Sequence, residues 1–236
     1  MKLTYIYNSG YVIENDGFAI VVDYYKDSAD EYVKRLLSSF RGKIYVLASH
    51  WHPDHFNRRI LNWKDERPDI RLVLSKDILD KRFAGADVGA FVDRGDTWDD
   101  GDVSIKAFGS TDVGVSFLIE TDGRKIFHAG DLNNWHWDEE STAEEVRDAG
   151  RDFLNELEYF ANYTKQVDLA MFPVDYRLGK NYMLGAEQFV STIKTAVFAP
   201  MHFGERYNRA NAFRDYAEKS GCRFVAWTKT GESINF

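Results

Sequence analysis

The chain has 236 residues, and 30 Lys and Arg against 38 Asp and Glu give it a net charge of −8. At this length a single domain over 1–236 is the default, large enough to bury a core without disulfides. The acidic balance argues against a nucleic-acid backbone as the main partner, because phosphate binding needs a basic surface, although a small pocket could still be locally basic.

From the N-terminus, Leu3 to Tyr7 and Tyr11 to Glu14 read as strands around an Asn8-Ser9-Gly10 turn. A third strand, Phe18 to Tyr25, follows the turn at Asn15-Asp16-Gly17. Ser28-Ala29-Asp30-Glu31 has a capping-box pattern. It precedes apolar positions Tyr32, Val33, Leu36, Leu37 and Phe40, which predict an amphipathic helix. Lys43 to Ser49 reads as a short buried strand that ends at a histidine-rich loop. A helix, a strand and a helix are expected over 56–66, 70–75 and 76–83. The stretch 84–102 is rich in Gly and Asp and poor in pattern. Its acidic run, DRGDTWDDGD at 93–102, lacks the alternate-position spacing of a calcium loop and reads as a solvated turn.

Strands return at Ser104 to Phe108, Gly114 to Glu120 and Lys125 to Ala129. The longest helix is expected at 142–163, where Val146, Ala149, Phe153, Leu157 and Phe160 step by three and four. Strands at 167–174, 195–201 and 223–228 then alternate with helices near 185–194 and 208–220. Strand clusters in each half, with helices between, predict two packed sheets with helices on the outer faces, an α/β layout of αββα type. No window approaches the roughly 20 apolar residues of a membrane span, so no membrane partner is expected. The N-terminus carries no apolar stretch of signal-peptide length. The single cysteine, Cys222, cannot form an internal disulfide and suits a reducing compartment, so the cytoplasm is the expected location.

Three of the six histidines, His50, His52 and His55, fall in HWHPDHF at 50–56, together with Asp54. Imidazoles and a carboxylate are the ligand set for Zn, Mn or Fe. Positions i and i+2 of an extended segment point the same way, so His50 and His52 can share one ion. Pro53 breaks the strand direction and lets Asp54 and His55 turn toward a second position. Trp51, Trp135 and Trp137 lie in or beside these motifs, as pocket walls or as ordinary buried packing.

His50-x-His52-x-Asp54-His55 after a buried strand resembles the HxHxDH signature of the metallo-β-lactamase superfamily. The resemblance runs through most of the chain. Asp23 closes the apolar strand FAIVVD, as the superfamily's early aspartate does. KIFHAGD at 125–131 resembles the strand that delivers the bridging aspartate, which makes Asp131 the expected bridge. VFAPMHF at 197–203 resembles the late strand that delivers the last histidine ligand, His202. Among branches, the chain looks most like the group containing ascorbate-6-phosphate lactonase and similar bacterial hydrolases. The resemblance implies the αββα sandwich and one or two divalent ions held by His50, His52, Asp54, His55, Asp131 and His202.

One histidine of the superfamily pattern is missing. Its place falls in Phe108-Gly109-Ser110-Thr111-Asp112-Val113-Gly114, with Ser110 or Thr111 at the corresponding position. Asp112 could substitute as a ligand or be a turn carboxylate. The remaining histidines are expected outside the ligand set. His128, three residues from Asp131, falls on the opposite strand face, and His136 lies between tryptophans, with the option of reaching the pocket. In the loop after the 167–174 strand, Arg177 and Lys180 could hold an anionic substrate or be plain solvated residues.

The function expected is metal-dependent hydrolysis of a small anionic ester, lactone or phosphoester. A divalent ion brings the pKa of water down to about 7. Asp131 would orient that water and Asp54 would accept a proton. No nucleophile elbow and no Gly-rich phosphate loop is present. Two alternatives from other classes are a degenerate binding protein on the same fold and a non-hydrolytic iron redox protein.

Overall fold

The computed structural model describes residues 1–236. Contacts divide the chain into two compact units, Met1–Asp93 with Trp227–Phe236, and Arg94–Ala226. No helix is long and apolar enough to cross a membrane.

The first unit opens with β1 (Lys2–Tyr7), β2 (Gly10–Glu14) and β3 (Phe18–Val22), then α1 (Tyr32–Ser39) and β4 (Lys43–Ala48). It continues through α2 (Trp63–Glu66), β5 (Arg71–Ser75), α3 (Lys76–Asp80) and β6 (Ala90–Val92). The second unit holds β7 (Thr97–Asp99), β8 (Ser104–Phe108), β9 (Ser116–Thr121), β10 (Arg124–His128), α4 (Ala143–Tyr163) and β11 (Gln166–Pro173). It ends with α5 (Leu184–Thr192), β12 (Lys194–Met201), α6 (Tyr207–Asn211), α7 (Arg214–Lys219) and β13 (Arg223–Phe224). The last strand, β14 (Ser233–Asn235), returns to the first unit.

Each unit is built on one mixed seven-stranded sheet. The first has the order β14-β1-β2-β3-β4-β5-β6, the second β13-β12-β11-β10-β9-β8-β7. In the first, the hairpin strands β1, β2 and β3 pair antiparallel, and β3 through β6 pair parallel. In the second, β7 through β10 are antiparallel and β10 through β13 parallel. Strands buried on both faces read as near-continuous apolar runs, which is why FAIVV and KIYVLA carry no alternation.

Packing explains the helices. In the first unit α1 lays Val33, Leu36 and Leu37 into a core with Val21, Val46 and Leu72. In the second, Thr142 and Glu145 form a reciprocal cap at the start of α4, and the helix buries Phe153, Leu157 and Phe160. Phe160 and Phe189 of α5 both meet Phe127 of β10, at ring-centroid distances of 4.4 and 5.3 Å.

Several sequence expectations are corrected. The first turn of α1 is not held by a capping box. Asp27 accepts from the N–H groups of Val33 and Lys34, and the Ser28 hydroxyl accepts from Tyr32 N–H. The 56–66 helix is instead a 3-10 segment, Arg58–Asn62, capped by the Asn57 side chain and followed by the single turn α2. The 208–220 helix breaks into α6 and α7, with fully buried Phe213 against Phe198 between them. The patternless 84–102 stretch contains the edge strands β6 and β7. The strand expected at 223–228 stops at Phe224.

Candidate functional site

In the first unit, parallel pairing sets Val22 of β3 opposite Leu47 of β4, so the two strands end side by side. Residues just beyond such ends are where α/β sheets place their reactive groups. Asp23 leaves β3 in the left-handed conformation, φ 48°, with its N–H on the Leu47 carbonyl at 2.9 Å. Its buried carboxylate accepts from Ser49 N–H, the Ser49 hydroxyl and His55 Nδ1, each at 2.7 Å. An ionised carboxylate only accepts, so His55 carries its proton on Nδ1 and presents the lone pair of Nε2. The Ser49 oxygen, already donating to Asp23, lies 3.0 Å from His50 Nδ1 and fixes that ring the same way.

The loop then folds back on itself. The N–H groups of His55 and Phe56 both return to the His52 carbonyl, at 3.0 and 2.9 Å. This brings the rings of His50 and His55 to 4.1 Å and those of His50 and His52 to 4.8 Å between centroids. Imidazoles gathered at that spacing are a donor set suited to a cation. Asp54 lies with Oδ2 3.5 Å from His55 Nε2 and accepts from the Asn8 side-chain amide at 3.1 Å. Asn8 reaches it from the β1–β2 turn at φ 55°. In the sequence Asn8 reads only as a turn residue; nothing local marks it as a partner of a loop 46 residues away.

The second unit repeats the device. Pro173 of β11 pairs with Met201 of β12, and Val174 N–H meets the Met201 carbonyl at 2.9 Å. Just beyond, His202 adopts φ 63° and sets Nδ1 2.9 Å from Asp175 Oδ2. Burial pushes the Asp175 carboxyl up, but hydrogen bonds from His202 and Arg177 outweigh it and hold the group below its ordinary value. His202 Nε2 lies 3.3 Å from Asp131 Oδ1. Asp131 follows β10, and its carbonyl accepts the Trp135 indole N–H at 2.8 Å. Asp175 was not singled out in the sequence. Its role depends on the register of β11 against β12.

The other sequence candidates fall as follows. The Thr111 hydroxyl donates to the Asn133 carbonyl and accepts from the Asn133 N–H, at 2.5 and 2.9 Å, so it pins the loop that carries Asp131. The Ser110 hydroxyl accepts from the N–H of exposed Asp112 at 3.3 Å. Arg177 grips Asp175 through Nε and Nη2. Lys180 is exposed, with its backbone N–H on Glu139. His136 is buried, with Nε2 3.2 Å from the Asn181 carbonyl and Nδ1 accepting from Asp138 N–H. His128 is buried and its Nδ1 accepts from Gly130 N–H. Trp135 and Trp137 stack at 6.2 Å.

The residues that could hold a metal ion are His50, His52, Asp54 and His55 in the first unit and Asp112, Asp131 and His202 in the second. The donor set fits a transition metal. His55 and His202 each have Nδ1 on a buried carboxylate, the usual way to orient a ligating imidazole and raise its basicity.

Residues 2–148, more than half of the chain, match the family model described as beta-lactamase superfamily domain. No curated protein sequence matches significantly. Among solved structures, the chain is similar to Igni18, a metallo hydrolase from Ignicoccus hospitalis, with a TM-score of 0.68 and 19% identity over 100% of this chain and 97% of that one. The metallo-beta-lactamase fold protein YhfI from Bacillus subtilis aligns with a TM-score of 0.65 and 13% identity over 99% and 98% of the two chains. Isothiocyanate hydrolase from Delia radicum gut bacteria gives 0.58 and 15% over 100% and 99%. These likenesses show the fold class, the α/β sandwich of αββα type.

Proposed function

Since this chain belongs to the beta-lactamase superfamily, we propose that it is a metal-dependent hydrolase of a small anionic ester, lactone or phosphoester. Its ligands are His50, His52, Asp54, His55, Asp131 and His202. The observation that carries the reading is the repeated anchoring of an imidazole by a buried carboxylate, Asp23 on His55 and Asp175 on His202. Superfamily membership and similarity to a metallo hydrolase fold support it. Within the superfamily we assign the chain to the branch of ascorbate-6-phosphate lactonase, on the motif resemblance of its sequence.

When bound, a divalent ion supplies acidity to water and polarises the carbonyl or phosphoryl oxygen under attack. The chain's own groups do the rest. Asp23 and Asp175 keep their histidines in one tautomer and one orientation. Asn8 holds Oδ2 of Asp54 and so orients the carboxylate that accepts a proton. Arg177 keeps Asp175 ionised and sets a positive charge beside His202, 3.3 Å from Nδ1, where an anionic substrate gains from it.

The test is metal reconstitution followed by a substrate panel. Protein purified without chelator and reloaded with Zn, Mn, Fe, Co or Ni should hold at least one ion per chain. It should hydrolyse a member of an ester, lactone and phosphodiester panel in a chelator-sensitive way. Substoichiometric binding of all five metals would overturn the proposal.

A further inference from the structure

The histidine loop of the first unit carries a second feature that its ligand role does not use. Trp51, between His50 and His52, stacks its ring on Phe83, with centroids 5.5 Å apart and planes inclined by 13°. Those two rings, with Tyr25, Pro53, Phe56 and Arg58, line an open recess of about 320 Å³. The size lies at the lower end for small-molecule sites. The lining is mostly apolar, and no carboxylate contributes to it. Trp51 also meets the His52 ring at 4.5 Å, so the recess borders the metal-ligand loop directly.

Its charge is opposite to that of the chain. The Arg58 guanidinium sits 4.3 Å over the Phe83 ring, and Lys81 Nζ sits 5.4 Å from the Trp51 ring. Neither cation forms an ion pair with a side chain; each faces an aromatic ring instead. The neighbouring acids are engaged elsewhere. Asp77 Oδ2 accepts from Trp51 N–H, and Asp80 pairs with Lys76. A protein of net charge −8 thus lines an aromatic recess beside its histidine loop with one cation, Arg58, and sets Lys81 against the Trp51 ring.

We propose that this recess seats a planar aromatic ring bearing an anionic substituent, and that the substrate of the adjoining site is an aryl compound of this class. The inference rests on the histidine loop being the reaction site. An aromatic ring packs against the Trp51, Phe83, Phe56 and Tyr25 side chains that line the recess with ring–ring contacts that a saturated ring cannot make. The anionic substituent then meets Arg58, whose charge is already held over the Phe83 ring.

Binding, rather than turnover, tests the recess. The probes are 2-naphthoate, the neutral 2-naphthalenemethanol and the saturated cyclohexanecarboxylate. Each is titrated by calorimetry or ligand-observed NMR into metal-loaded and chelator-treated protein. Naphthoate is expected to bind about tenfold more tightly than either other probe, equally with and without metal. Phe83→Ala and the milder Phe83→Leu should each weaken naphthoate by about tenfold, and Arg58→Gln by about fivefold. Arg58→Gln should leave 2-naphthalenemethanol unchanged. Equal affinity for all three probes would overturn the proposal. So would naphthoate binding that requires metal and survives in Phe83→Leu, since the carboxylate would then be sitting on the ion. A protein that binds naphthoate as described but hydrolyses nothing refutes the hydrolase reading and leaves the aryl-anion seat standing. A hydrolase that passes its panel but ignores naphthoate does the reverse.

Discussion

The Nδ1 of His202 lies 2.9 Å from Asp175 Oδ2, a bond between residues just beyond the ends of two neighbouring parallel strands. A carboxylate in that position fixes the tautomer of a ligating imidazole, and its loss costs affinity for the ion. Asp175→Asn keeps the shape and removes the charge. Metal affinity should fall by about 10- to 100-fold, read by competition with a chromogenic chelator, with the circular dichroism spectrum unchanged. An unchanged metal affinity would show that His202 is not a ligand.

The two metal positions should differ in strength. In the proposed ligand set, with no histidine in the Ser110–Thr111 segment, one position would have His50, His52 and a share of Asp131, and the other Asp54, His55, Asp131 and His202. More protein donors hold an ion more tightly. His55→Ala is therefore expected to lower metal content more than His50→Ala, measured by elemental analysis after reconstitution. Equal losses would mean that a further donor, with Asp112 the first suspect, completes the poorer position.

Gly185 should be irreplaceable for a reason of space. A Cβ there would fall 1.9 Å from Asn133 Oδ1 and 2.9 Å from the Asn134 backbone nitrogen. Asn133 is fully buried, and the Asn134 nitrogen belongs to the main chain, so the loop itself must shift. Gly185→Ala is expected to cost on the order of 1–3 kcal/mol, seen as a lowered thermal midpoint. The displaced loop carries Asp131, so metal affinity should fall with it.

Glu232 makes part of the stability depend on pH. Burial raises its carboxyl pKa, but bonds from the Thr228 hydroxyl and the N–H groups of Thr228 and Lys229 outweigh that and leave it below the ordinary 4.5. A lowered folded-state pKa stabilises fully above the unfolded value and is lost as pH falls through the folded one. The thermal midpoint of Glu232→Gln should lie below that of the parent at neutral pH, and the gap should close on acidification below pH 4.5. A gap constant from neutral to acid would rule the charge out as its cause.

The Cys222 thiol is pushed up to about 11 by burial. Thiolate is the reactive form, so at pH 8 the folded protein should react with a disulfide reagent far more slowly than the unfolded chain. Rates measured with and without denaturant test this.

What was legible in the sequence was local. His50, His52, Asp54 and His55 are neighbours in the chain, so their chemistry shows without any fold. Asp23 was visible only through the family resemblance, which places an aspartate at the end of that apolar strand. Asp175 and Asn8 were not, because each acts on a residue 27 or 46 positions away, and only strand register and turn geometry bring them together. Element boundaries failed where tertiary packing overrode local pattern. Phe213 is buried against Phe198 and splits what reads as one helix. Asp27 rather than Ser28 takes the leading role in the first turn of α1, because it reaches forward to the N–H groups of Val33 and Lys34. The strand at Arg223–Phe224 ends early because the chain then departs to stack Trp227 on Tyr5 in the first unit.

That departure sets an order of assembly. Trp227 lies 5.6 Å from Tyr5, donates its indole N–H to the Tyr11 hydroxyl, and leads into β14, the edge partner of β1. The second unit, Arg94–Ala226, is one continuous stretch, whereas the first must wait for Trp227–Phe236. During synthesis the unit that emerges first is therefore the one completed last. For that whole interval β1 carries a bare strand edge, with Tyr5 and Tyr11 lacking their tryptophan, and this is the form of nascent chain most open to sticking to another copy of itself.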